Sequence, residues 1–216
     1  ISLSPLVIAS FLGGNDEAQE TQAWVAPMQL MLLVPPFKIF SVMISMYSHP
    51  ENQTALAKKR IYCAGRAVAL SMSIATFALR MVAGAVIPAY NLCTPNEWRV
   101  VNRYLYWLTA PFFTEYINKC NLNVMIQHED AFSNVLMMLR QVAMCVMVYC
   151  LYQRYSHSSA DCLEVIAQSF AATSAVNMLV SSLYLRLRQQ YKPFHDVIFS
   201  MGINHLYCSQ IKLMFS

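Results

Sequence analysis

Charge is what this sequence is short of. Asp, Glu, Lys and Arg make up 12% of its 216 residues, about half the share in an ordinary soluble domain. Too few charges remain to wet a globular surface, which excludes a disordered tail and a charged coiled coil. Glycine is scarce as well, with five in the chain, and no Gly/Ser linker, collagen-like period or internal repeat is visible. That scarcity counts against a transporter built on close helix contacts and broken helices.

Motifs that carry chemistry are missing too. The seven cysteines contain no CxxC and no zinc or iron–sulfur spacing, so they read as reduced thiols acting as small hydrophobes. There is no G-x-S-x-G elbow, P-loop, GxGxxG or HExxH pattern, and no two histidines stand at i, i+4 on one expected span. No catalytic residue, metal site or cofactor box is read here. The fifteen basic residues are spread along the chain, with Lys58-Lys59-Arg60 the one tight run. A nucleic-acid groove wants a dense basic stripe with interleaved aromatics, so nucleic acid is excluded as a partner.

What is present is apolar length. Hydrophobic residues make up 57% of the chain and the mean hydropathy is +0.40. Helices that cross a hydrocarbon core of about 30 Å need about 20 apolar residues, and several runs qualify. Trp24 to Tyr47 is apolar but broken by Pro35-Pro36, so it reads as a kinked span or a re-entrant pair. Ile61 to Tyr90 is the longest run, and Thr94 or Asn96 is expected to cap the helix after it. Residues 98–127 read as a tilted span or an interfacial helix. Tyr104, Tyr106, Trp107, Phe112, Phe113 and Tyr116 form an aromatic belt there, and Pro111, Glu115 and Lys119 weigh against a clean crossing. Ala131 to Tyr152 and Val165 to Leu185 complete the series, the latter without a formal charge.

The expectation is an all-α, multi-pass helical membrane protein with four or five transmembrane helices plus interfacial amphipathic helices. It forms one domain over 1–216: an N-terminal segment 1–23, membrane helices in 24–185 and an amphipathic C-terminal segment 186–216. The start at Ile1 fits removal of an organellar presequence, release from a polyprotein, or truncation. Lys58, Lys59 and Arg60, with Arg186, Arg188 and Lys192, are expected to meet anionic lipid head groups on the untranslocated side. Bound phospholipid, cardiolipin included, is the ligand this implies.

Two arginines fall inside expected spans. Arg80 and Arg140 must face protein, water or a head group, because a charge at the bilayer centre costs about 2.5–3.5 kcal/mol on insertion scales. Pairing with a carboxylate such as Glu115 or Glu164, or snorkelling to the interface, meets that need. An ion-pathway role is the sharper alternative. Small residues recur every four positions at Ala67, Ser71 and Ala75 and at Ala167, Ala171 and Ala175, which predicts two closely packed helices. Together these readings predict a non-catalytic accessory subunit of a larger membrane complex. Its partners are other membrane subunits and lipids, and its setting is the mitochondrial inner membrane, in a respiratory complex or ATP synthase. A channel or carrier using Arg80 and Arg140 is one alternative; a membrane enzyme or viral polyprotein product is the other.

Overall fold

The computed structural model describes residues 38–90, 94–128, 130–154, 159–189 and 204–215. These are all helical, with no strand among them. Helix α1 covers 38–48 and a 3-10 turn follows at Pro50–Asn52. Then come α2 (Ala55–Ala89), α3 (Pro95–Gln127), α4 (Phe132–Tyr152), α5 (Ser159–Gln189) and α6 (Asn204–Phe215). The stretch 24–37 of the first expected span, and 190–203 with Lys192, lie outside the described residues.

Local signals account for the boundaries. Thr54 caps α2, its hydroxyl accepting the Ala57 N–H at 3.2 Å, which satisfies one of the amides a helix start leaves orphaned. Pro88 sits in the last turn of α2, where a missing N–H and the ring clash favour an ending. Thr94 stands before Pro95 as expected of a cap, and its carbonyl accepts from Trp98 at 2.9 Å. Proline suits the first helical position because its N–H would be unbonded anyway. Asp130 opens α4, its carboxylate accepting the Phe132 N–H at 3.0 Å. Residues 98–127 belong to a single helix that continues through Pro111.

Three of these helices are long and apolar enough to cross a membrane: Ala55–Ala89, Phe132–Leu151 and Glu164–Arg188. Helix α3 packs most extensively on α5 and next on α2, whereas α4 leans on α5 and α6 on α2. Contacts along the seams give the directions. Tyr62 meets Asn121 and Arg80 meets Asn102, so α2 and α3 run antiparallel. Trp107 meets Glu164 and Asn121 meets Ser181, so α3 and α5 run parallel. Phe132 stacks on Tyr184 with centroids 4.3 Å apart, which sets α4 antiparallel to α5.

One end of the bundle therefore gathers the start of α2, the α3–α4 turn and the end of α5. Lys58, Lys59, Arg60, Arg186 and Arg188 all lie at that end, with Arg60, Arg186 and Arg188 exposed. Burial and the nearby Lys58 charge hold the His128 imidazole in the turn below its usual range, against a smaller opposing pull from Asp130.

Polarity is distributed inside out. Leu70, Ile74, Phe77, Leu79, Val82, Met138, Val142, Val146 and Leu179 are exposed, while Arg66, Glu115, Asn118, Asn121, Ser174 and Ser181 are buried. Large exposed apolar surface is unusual on a water-soluble monomer. In lipid it is the required exterior, and polar groups turn inward to satisfy one another.

Candidate functional site

The buried polar groups form a seam along the contact between α3 and α5. On α3 the sequence places Trp107, Thr114, Asn118 and Asn121 at seven-, four- and three-residue steps, which share one helix face. Small hydroxyl residues on α5 answer them. Asn121 donates to Ser181 at 2.8 Å and to Ser182 at 3.0 Å. Asn118 donates to the Ser174 carbonyl at 3.1 Å, and Thr114 meets the Ser174 hydroxyl at 2.5 Å.

Two charged groups anchor the seam. Glu115 takes both guanidinium arms of Arg140, at 2.5 and 3.2 Å, and accepts the Ser174 hydroxyl at 2.6 Å. The guanidinium also lies 5.4 Å from the Phe170 ring centroid, a cation–π distance. Arg66 is 1% exposed. It donates to the Tyr62 hydroxyl at 2.8 Å and to Asn121 Oδ1 at 3.2 Å. Each end of the seam closes on a carboxylate. Glu164 accepts from Trp107 at 2.9 Å and faces Arg103 at 3.4 Å; Asp130 accepts from the Tyr184 hydroxyl.

Of the four charges expected to pair, the fold brings Arg140 and Glu115 together and leaves the other two with different partners. Arg80 reaches neither Glu115 nor Glu164, because those carboxylates face Arg140 and Arg103. It donates to Asn102 at 3.4 Å and lies 5.6 Å from the Tyr106 ring centroid. The small-residue rows are unequally buried within this chain. Ala167 is fully buried, Ala171 and Ala175 are half-buried, and the buried α5 residues Ala167, Ser174 and Ser181 recur at seven-residue steps. On α2, Ala67 and Ser71 are half-buried and Ala75 is exposed. The tight approach there is at Gly65, where an added Cβ would lie 2.5 Å from Met43 Sδ. The aromatic belt divides: Tyr104 and Tyr116 are buried in the core, while Tyr106 and Phe113 are exposed.

Arg66, Asn121, Ser174, Ser181, Asp130 and Tyr184 were not singled out by the sequence. The available signal was the period of the amides on α3, which marks a buried face only once the helix is known to sit among others. Among the described residues no three His, Cys, Asp or Glu side chains gather where a metal would sit. Of the cysteines there, Cys63 and Cys120 are buried and Cys145, Cys150 and Cys208 are exposed. The seam is a hydrogen-bonded network, with Asn118 Oδ1 left unbonded, suited to holding helices in register in a low-dielectric interior. No family model matches this chain, and neither a curated protein nor a solved structure resembles it at a significant level.

Proposed function

We propose that this chain is an integral membrane protein of four or five crossings, serving as a non-catalytic structural subunit of a larger membrane complex. The outer half of α2 carries the reading. From Ile74 to Val86 its side chains Ile74, Phe77, Leu79, Met81, Val82 and Val86 are exposed. Arg80 stands among them, half-buried, with a long hydrogen bond to Asn102 at 3.4 Å. Lipid alone covers such a face well except at the guanidinium, which calls for protein or water. A neighbouring subunit's helix supplies both.

The helix directions support the crossing count. If α2 and α4 both span from the basic end, the chain must return between them, and α3 is the element that does so. Shielded by α2 and α5, α3 does not need an apolar exterior of its own. The run over 24–47 would be the fifth crossing. The energy-transducing setting, a respiratory complex or ATP synthase of the mitochondrial inner membrane, is inferred from composition and from basic helix ends suited to anionic lipids such as cardiolipin.

Extraction in mild detergent, a native gel and mass spectrometry of the band test the proposal. Co-migration with other membrane polypeptides is expected, and migration as a lone 24.5 kDa species would overturn it. The Arg140–Glu115 pair inside the bundle favours a second reading, a channel or carrier. Proton or solute flux through liposomes containing only this chain, abolished by Arg140→Gln, would establish that reading instead.

A further inference from the structure

One face of α2 is covered for only part of its length. Gly65, Val68, Met72, Leu79 and Val86 recur at three-, four- and seven-residue steps and share that face. Helix α1 packs on the near part, where Met43 reaches Gly65. Val68 is 1% exposed and Met72 half-buried, but Leu79 is 67% exposed and Val86 39%.

Two contacts set the direction of α1. The Tyr47 carbonyl accepts from Gln53 at 3.2 Å just before α2 begins, and Met43 meets Gly65 further along. Moving back along α1 therefore means moving forward along α2, so the two helices are antiparallel. The described part of α1 starts at Lys38, five residues before Met43. By equal rise it comes level with about residue 70 of α2. The cover on the α2 face gives out at that same level.

The chain before Lys38 matches the uncovered stretch in length and in kind. Residues 24–37 would rise about 21 Å as a helix, the same rise as from Met72 to Val86. Among them Trp24, Val25 and all of 30–34 are apolar. Ahead of them stand Asp16, Glu17 and Glu20. The end of the bundle such a run reaches carries the exposed cations Arg99 and Arg154, of opposite charge.

We propose that residues 24–37 of this chain dock on the uncovered face of α2, running antiparallel to it from Met72 to Val86. Asp16, Glu17 and Glu20 then arrive beside Arg99 and Arg154. The assignment rests on the reading of 24–47 as a crossing and gives that crossing its neighbour. Ile74 and Met81, on the opposite side of α2, remain for the neighbouring subunit.

Disulfide trapping in the full chain tests the docking, with the native cysteines changed to alanine. Leu79→Cys is combined in turn with Ala26→Cys, Met28→Cys, Gln29→Cys and Leu30→Cys, the turn that equal rise brings level with Leu79. Leu79 lies on the surface of the described bundle, so its replacement leaves the core unchanged. Lys38, Lys58, Lys59 and Arg60 stand between the paired positions. After oxidation and trypsin, a bond within one chain therefore holds two fragments together until it is reduced. At least one of the four pairs should give joined fragments, and the joining should be lost when Met81→Cys replaces Leu79→Cys. No joining with Leu79→Cys, equal joining with Met81→Cys, or bonds only between two chains overturns the docking. An impermeant maleimide on sealed vesicles separates that failure from failure of the crossing. Label at Gln22→Cys from the side opposite to Lys59→Cys, without the bond, keeps the crossing and rejects the docking. Label at both from one side rejects both.

Discussion

At the scale of single residues, the Glu115–Arg140 pair costs more to break than to replace. Both side chains are largely withdrawn from water, at 5% and 18% exposed, so removing one leaves the other's charge buried without its counterion. Glu115→Ala should therefore destabilise the folded chain by about 3–5 kcal/mol, whereas Glu115→Leu with Arg140→Met should recover most of that loss. Thermal unfolding in detergent, run as a double-mutant cycle, measures both. A single variant as stable as the parent would show that the pair is solvated. The sequence made both arginines legible as charges that needed partners, because a cation in a long apolar run is conspicuous. It did not reveal which partner each would meet. That depends on helix neighbours: α3 turns Glu115 toward α4 and α5, while Arg80 lies on a stretch of α2 opposite Asn102. The partner of Arg66 is hidden for a related reason. Arg66 stands near the start of its apolar run, and α3 covers it with Asn121.

Helix α2 shows how one element can have two environments. Its first half is buried by α1, α3 and α6: Gly65 lets Met43 approach, and the Ile61 carbonyl accepts from Gln210 at 3.3 Å. Gly65→Leu should overpack this contact and cost about 1–3 kcal/mol. Met43→Ala in the same chain should relieve it, since the clash is with a flexible thioether. Melting temperatures of the single and double variants check the pairing of α1 with α2. The second half behaves oppositely. A Cβ added at Gly84 would meet nothing within 4 Å, so Gly84→Trp should leave the isolated chain's melting unchanged while lowering recovery of the complex on a native gel. Equal recovery would mean that lipid rather than protein covers this half. Apolar runs made α2, α4 and α5 readable from sequence, because their exteriors are uniform. Helix α3 reads as ambiguous because Pro111, Glu115 and Lys119 look unlike a span when its neighbours are unknown.

Across the whole molecule, the inversion of polarity and the direction of the helices make one claim that can be tested. Four helices, α2 to α5, separate Lys59 from Arg188, and those two residues lie at the same end of the bundle. If all four cross the bilayer, both residues emerge on one side. If only the three plainly apolar helices cross, they emerge on opposite sides. Single cysteines in place of Lys59 and Arg188, and of Arg154 at the end of α4, can be introduced into a chain whose own cysteines are changed to alanine. A membrane-impermeant maleimide applied to sealed vesicles should label positions 59 and 188 from the same side and position 154 from the other. Labelling of 59 and 188 from opposite sides would remove α3 from the membrane. With α5 still crossing, the α3–α5 seam would then have to come apart, leaving Ser174 and Ser181 on α5 in lipid without the Asn118 and Asn121 partners they have here.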